Sequence, residues 1–423
     1  MNAEETQHHE LKPSLGLFDA TAISVGAIIG AGIFIVTGIA AGLAGSALVI
    51  SMIVAAIIAL FTALSFAELT AWQPREGSIY EYTYQLVSPF AGFLTGWMWV
   101  LSNTFAGAAV SLGFANYLTA LYPNLPPNGV AAILCLAFTA LNFVGIRQSA
   151  LLNNALVTAK LIILAFFVIL GLAFMNTANF APFKPFETGV FYGAFYIFFA
   201  YGGFARVAVV SEEVRDAKRN VPRAILLSLV ISTLVYILVG VVAVGLVGAP
   251  ALSGSKSPLT NAISVTGSTA AVYTVAVGGL LATASVLLTS ILGVSRMTFA
   301  MARRKDLPET LSRLHSRFNT PYYSIWILGL LMTLFALFLD LSGVVAISTF
   351  ALLLYYTLAN ICALRLKVQK RMYGRYVPVI GTLTCVALII FIPLEAWIIG
   401  AAGLAVGVIF YWAKRHLTKK EYL

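Results

Sequence analysis

The stretch Gly26-Ala27-Ile28-Ile29-Gly30-Ala31-Gly32 sits in the middle of an apolar run from about 17 to 42. A run of that length crosses a bilayer as a helix, which needs about 20 apolar residues. Its glycines weaken that helix locally, since each costs about 1 kcal/mol relative to alanine. A second interruption falls at Phe198-Phe199-Ala200-Tyr201-Gly202-Gly203-Phe204, inside another apolar run from about 189 to 212. Prolines do not make these breaks, because nearly all fifteen lie in loops or near helix ends. Close packing through small residues would account for Gly26-xxx-Gly30 alone. Paired glycine breaks at corresponding positions of two halves point instead to discontinuous helices in an inverted repeat.

Around these runs the composition is that of a membrane protein. Hydrophobic residues make up 60% of the 423 positions and charged residues 10%, against about 25% charged in soluble domains. Apolar segments are read at about 17–42, 46–71, 89–121, 128–147, 148–175, 189–212, 222–248, 271–302, 322–340, 343–367, 375–393 and 395–413. The expected fold is an all-α polytopic membrane protein with twelve transmembrane helices. Helices 1–5 and 6–10 would form inverted five-helix repeats, with helices 1 and 6 discontinuous and helices 11 and 12 added at the end. That is one transport domain over 1–423, with repeat one at about 17–175, repeat two at about 189–367 and the last pair at about 375–413.

Charge orients the chain. With a cytoplasmic N-terminus and alternating helices, only Lys184 and Lys256 of the 26 lysines and arginines fall outside. Lys160, Arg206 and Arg296 lie within helices, and the remainder cluster on the cytoplasmic side, including the runs at 215–223, 303–317, 365–375 and 414–420. This is the positive-inside pattern, and it places both termini in the cytoplasm of a cell-membrane protein. The net charge of +10 then reflects topology and contact with anionic lipid. Nucleic acid is not an expected partner. Residues 1–13 lack the basic region and apolar core of a cleaved signal peptide, and His8-His9 belongs to this polar tail. Cys135, Cys362 and Cys385 sit in apolar spans at no metal-like spacing, as small packing residues.

An unwound helix leaves N–H and C=O groups that lipid cannot satisfy, so they must line a cavity. Half-helix N-termini carry positive partial charge and C-terminal ends negative. Amides near Ala31 and Gly32 suit a carboxylate. Carbonyls of Ile28 and of Ala200, Tyr201 and Gly202 suit an ammonium. A zwitterion satisfies both, so the backbone favours an amino acid.

At these residues the chain resembles the amino acid/polyamine/organocation transporter family. The likeness runs through Gly26-Ala-Ile-Ile-Gly-Ala-Gly-Ile-Phe34, Ala67-Glu68-Leu69, Pro74-Arg-Glu-Gly-Ser-Ile-Tyr-Glu-Tyr82 and the Trp97/Trp99 pair. It continues through Glu212-Glu-Val-Arg-Asp-Ala-Lys-Arg-Asn-Val-Pro222 and Ser295-Arg-Met-Thr-Phe-Ala-Met-Ala-Arg-Arg-Lys-Asp-Leu-Pro308. The resemblance implies twelve helices, ten of them in two inverted repeats, and movement of amino acids or related amines by alternating access. Two departures stand out. Gly77-Ser78 replaces a frequent Gly-Gly, and Ala205-Arg206 stands where many members have an acidic residue, so no carboxylate role is carried over there.

Lys160 lies about nine to thirteen residues inside segment five, roughly 14–20 Å along the helix. Its stem is too short to reach the interface from there, and a central charge costs about 2.5–3.5 kcal/mol. Lysine changes its charge state readily when buried. The resemblance implies that segment five packs beside broken segment one and segment eight, where sodium-coupled relatives hold a cation and some proton-coupled relatives a lysine ammonium. Lys160 is therefore expected to replace sodium and couple transport to protons, with Ser285 the nearby hydroxyl. A structural lysine held by segment-one carbonyls is the plain alternative.

Glu68, Arg206 and Arg296 are expected to close the cytoplasmic side, Arg206 with Glu68 or Glu212 as a partner. Phe199 aligns with the family's gating aromatic over the substrate, and Tyr201 and Asn103 are further pocket candidates. The absence of an acidic residue deep in a helix favours neutral substrates over polyamines or arginine. An amino acid exchanger without proton coupling is the alternative transport mode. A membrane enzyme is disfavoured because His8, His9, His315 and His416 fall in tails or loops, and no His/Asp/Cys cluster appears. A channel would show filter segments, and none is visible. No metal or cofactor is called for, the proton being the coupling ion. The sequence leaves oligomeric state open.

Overall fold

The computed structural model describes residues 13–74, 77–145 and 150–420, with backbone alone at 31 and 417–420. Arg75 and Glu76 of the Pro74–Tyr82 motif, and His8-His9, lie outside the described residues. Among the described residues the chain is helical, and its sole strand-like feature is an isolated bridge between Leu15 and Val214.

In chain order the helices are α1 (Leu17–Ile28), α2 (Ala31–Ala44), α3 (Leu48–Trp72), α4 (Ile79–Leu86), α5 (Pro89–Leu121), α6 (Pro127–Val144), α7 (Ala150–Leu172) and α8 (Gly189–Tyr201). They continue as α9 (Arg206–Val209), α10 (Ala217–Ser253), α11 (Pro258–Ser264), α12 (Thr269–Arg303), α13 (Tyr322–Phe338), α14 (Leu341–Arg365), α15 (Tyr376–Ile389) and α16 (Leu394–Lys420). Among the described residues nine helical stretches are long and apolar enough to cross a membrane, and α13 and α15 are shorter apolar helices. Starts are marked as side-chain chemistry dictates. Ser88 accepts from the Ala91 amide ahead of Pro89 at the first position of α5, and Asp340 accepts from Gly343 at the start of α14, each satisfying an end-of-helix donor. α10 bends at Gly248, whose φ of 75° is costly for any residue with a Cβ.

The two interruptions differ in kind. Between α1 and α2 the backbone leaves helix altogether. Ile29 has φ −77° and ψ 63°, and the Gly30 amide donates to the Ile28 carbonyl at 2.8 Å, an inverse γ-turn. Between α8 and α9 no such unwinding occurs. The expected break at Tyr201–Phe204 is instead a 3₁₀ turn over Gly202–Ala205, which keeps local hydrogen bonds by tightening to i→i+3. Glycine permits the first route and makes the second easy, so the sequence alone could not separate them.

Packing pairs α2 with α8, α3 with α10, α5 with α12 and α6 with α13. At the end nearest Leu15, short α4 is latched to the segment after α12. Tyr80 and Tyr84 donate to the Asp306 carboxylate at 2.6 and 2.7 Å, and Arg304 lies over the Tyr84 ring at 4.3 Å. Burial, then the hydrogen bond to Asp306, raises both phenols above their ordinary pKa and keeps them donors. The part-exposed Arg304–Glu81 pair at 2.8 Å contributes little beside this. Asp306→Ala leaves two buried phenols without their charged acceptor, a loss of about 2–3 kcal/mol. Detergent-solubilised Asp306→Ala is expected to unfold several degrees lower than wild type; an unchanged midpoint would show the latch carries no stability.

Candidate functional site

A central cavity of about 60 Å³ lies where the two interruptions meet. The α1–α2 break supplies Ile28 and Gly32, and the α8 end supplies Phe199, Ala200 and Gly202. Asn103 of α5 joins them. The helices approach through glycine. A Cβ on Gly32 would lie 2.2 Å from the Ala200 Cβ, and one on Gly203 would lie 2.4 Å from the Ala27 carbonyl carbon and the Ile28 nitrogen. The start of α2 has Gly30 before it and no side-chain cap hydrogen bond, and the first amides of a helix have no acceptor within it. Ala31 forms the first residue of α2; its side chain is outside the described residues. Tyr201 does not line this cavity. It is fully buried with its ring 5.2 Å from that of Tyr236.

The carbonyls expected to await an ammonium are largely engaged. Ile28 accepts from Gly30 at 2.8 Å and from the Tyr236 hydroxyl at 2.5 Å. That hydroxyl also lies 3.4 Å from the Ala200 carbonyl, and the Tyr356 hydroxyl donates to Gly202 at 3.0 Å. Ser24 donates to Phe204 at 3.1 Å. Two phenols from neighbouring helices thus serve as the donors that lipid cannot supply. Tyr236 clasps both interrupted helices from α10. Tyr236→Phe removes the donor while keeping the ring, at about 1–2 kcal/mol, and uptake is expected to fall about 5- to 30-fold. Uptake within twofold of wild type would show that the clasp is dispensable.

Lys160 is 1% exposed on α7. Its Nζ donates to Ser285 Oγ of α12 at 2.5 Å and to the Gly26 carbonyl of α1 at 3.3 Å. Among the described residues no carboxylate pairs with it. A second cavity of about 250 Å³, on the side of Leu15 and Glu213, is lined by both of these partners, Gly26 and Ser285. It shares Ala27, Trp99, Arg206 and Val209 with the central cavity. A third, of about 530 Å³, opens on the opposite side beside Lys256 and Asp340, and shares no lining residue with the central one.

Arg206 stands at the partition between the central and second cavities. Its Nη2 donates to Ser290 Oγ at 3.0 Å and to Asn103 Oδ1 at 3.4 Å. Glu68, expected as a partner, is buried elsewhere, 4.0 Å from Arg371. Arg296 lines the second cavity with Glu213. Sequence reasoning missed Ser290, Tyr236 and Tyr356. Tyr236, an aromatic hydroxyl inside the apolar helix α10, is the one a search for intramembrane phenols could have raised. Among the described residues no group of three His, Cys, Asp or Glu could hold a metal.

Long apolar helices around a central cavity, with vestibules on two sides, define a multi-pass membrane protein of the transporter class. The chain belongs to the amino acid permease family, whose model matches residues 15–414. An uncharacterised transporter of Mycobacterium tuberculosis is 37% identical over 97% of this chain and 93% of its own length. The branched-chain amino acid permease of Bacillus subtilis is 29% identical over 96% of this chain and 94% of its own. Cationic amino acid transporter 4 of Mus musculus is 32% identical over 87% of this chain and 62% of its own.

Proposed function

We propose that this protein is a secondary active amino acid transporter that works by alternating access, takes neutral amino acids, and couples uptake to protons. The carrying observation is the central cavity, with the uncapped α2 N-terminus beside it and the Lys160–Ser285–Gly26 contact on α1 two residues before Ile28 of its wall. A free α2 N-terminus favours the substrate carboxylate. The amine has fewer free acceptors, with the Ala200 carbonyl the least engaged. Phe199 covers the cavity from α8.

Lys160 is the coupling group in this scheme. It holds a cation position between α1, α7 and α12 that a sodium ion would otherwise fill, and the second cavity reaches both of its partners. No cofactor takes part. Glu68, Arg206 and Arg296 act at the inner closure. The branched-chain amino acid permease among the relatives supports a neutral substrate; the cationic amino acid transporters favour a second reading with basic substrates.

The architecture we propose is twelve spans, with α1–α7 and α8–α14 as two inverted five-helix repeats and α15–α16 added, inside one transport domain. The pairings α2–α8, α3–α10, α5–α12 and α6–α13 support it, because each joins an element to its counterpart in the other half. The short helices α4 and α11 also fall at corresponding places. The positive-inside distribution supports cytoplasmic termini in the cell membrane. The wall that the central and second cavities share supports a conformation leaning toward the cytoplasm.

The test is uptake of labelled leucine and alanine into proteoliposomes, with pH and sodium gradients varied separately. An inward proton gradient is expected to drive accumulation, and sodium to have no effect. Sodium-dependent uptake indifferent to pH would overturn the coupling. Exchange alone, with no net accumulation under either gradient, would favour the exchanger.

A further inference from the structure

Among the described residues, the guanidinium of Arg206 is the sole charged side chain on the central cavity wall. Both of its hydrogen bonds leave from Nη2 and end on neutral oxygens, those of Ser290 and Asn103. The amide of Asn103 is itself fixed, since its Nδ2 donates to the Trp99 carbonyl at 3.0 Å, which turns Oδ1 toward Arg206. Guanidinium carries five N–H donors, so the Nη1 and Nε protons keep capacity for a further acceptor. Among the described residues no carboxylate lies within ion-pair distance of it. Glu213 and Arg296 line the second cavity, which Arg206 also borders, and neither lines the central one; the buried Lys160 is held by Gly26 and Ser285.

A cation held inside a membrane protein without a counter-charge is costly, and in water-poor surroundings its attraction for an anion is strong. Arginine is suited to a planar carboxylate, which it can hold through two parallel bonds. We propose that Arg206, braced by Ser290 and Asn103, is an anion subsite for the substrate's side chain, so that the cavity takes amino acids with a short acidic side chain and rejects basic ones. This rests on the amino acid transport reading and adds short acidic amino acids to the neutral ones proposed there. The two positive features of the cavity, the α2 N-terminus and Arg206, then receive the two carboxylates of one ligand. A lysine or arginine side chain would meet like charge in the same place.

The experiment is competition against labelled alanine uptake in proteoliposomes by aspartate, glutamate, lysine and arginine, for wild type, Arg206→Lys and Arg206→Gln. In wild type the acidic amino acids are expected to compete at least 10-fold more strongly than the basic ones. That acidic-to-basic ratio should fall about 10-fold or more in Arg206→Gln and be largely kept in Arg206→Lys. A purely structural role lowers uptake of every substrate alike and leaves the ratio unchanged, which overturns the subsite while alanine transport stands. Wild type that transports no amino acid sinks the transport reading and the subsite with it. Heat unfolding of solubilised wild type supplies a readout independent of variant folding. Aspartate is expected to raise the midpoint and lysine not to; stabilisation by lysine alone overturns the proposal.

Discussion

Lys160→Ala is expected to abolish proton-driven accumulation, with initial uptake under an inward proton gradient falling at least 10-fold and the remaining flux indifferent to pH. The reason is geometric. Nζ bridges α1, through the Gly26 carbonyl, and α12, through Ser285, from a position on α7 where it is 1% exposed. Movement of α1 against α12 breaks the bridge, so the charge on Lys160 and the position of the broken helix are linked. A ligand or proton can shift two states only by as much as it favours one of them. A proton that creates the ammonium strengthens both contacts at once, since bonds from a charged donor are worth about 1.5–3 kcal/mol each. Uptake should therefore rise as external pH falls in wild type, and that slope should vanish in Lys160→Ala. Ser285→Ala keeps the charge and removes one acceptor, so it is expected to weaken the slope and not abolish it. Full pH-dependent accumulation by Lys160→Ala would remove lysine from the coupling. Counterflow measured at fixed pH separates coupling from folding, because a folded but uncoupled variant still exchanges.

The parts of this site that sequence discloses are those with an energetic cost visible locally. Glycines at 26, 30 and 32 are expensive in a helix, so their presence signals that something else needs them. Lys160 signals in the same way, as a charge in an apolar run. Ser285 was reached through resemblance to transporters with a cation site at that junction, and the structure puts it in contact with Lys160. Tyr236 and Tyr356 carry no comparable signal. They are two of 18 tyrosines, and their value lies in which carbonyls they meet, which depends on how α10 and α14 dock. The same limit explains Arg206. Its depth in the helix was legible, but its neutral partners Ser290 and Asn103 are polar residues of unremarkable spacing on α12 and α5. The distinction between an unwound turn after Ile28 and a 3₁₀ turn after Tyr201 was also out of reach. Glycine serves either, and the choice is made by what the neighbouring helices leave room for.

Gly203→Ala is the second large effect, and it tests whether the two interrupted helices must touch backbone to backbone. The added Cβ would lie 2.4 Å from the Ala27 carbonyl carbon, 2.4 Å from the Ile28 nitrogen and 2.6 Å from the Ala27 oxygen. Those are main-chain atoms, so no rotamer change relieves the clash, and the end of α1 must move off the 3₁₀ turn. Overpacking of a single methyl costs about 1–3 kcal/mol where side chains can yield, and this position sits at or beyond the upper end. Displacing α1 pulls Ile28 from Tyr236 and Ser24 from Phe204, opening the carbonyls that the cavity needs held. Uptake is expected to fall at least 100-fold, with a lower yield of monodisperse protein. Gly254→Ala is the control, because the nearest atom to its Cβ is the Pro250 oxygen at 3.7 Å, and it should transport as wild type does. Gly30→Ala sits between them. Its Cβ would meet the Val286 Cγ2 at 2.2 Å, a side-chain atom, so Gly30→Ala combined with Val286→Ala should recover uptake that Gly30→Ala alone has lost. The corresponding rescue of Gly203→Ala has no side chain to trim, and none should be found. Transport by Gly203→Ala within threefold of wild type would show that α1 and the turn after α8 pass each other with room to spare, and the shared cavity would then have to be held together by the tyrosine clasp alone.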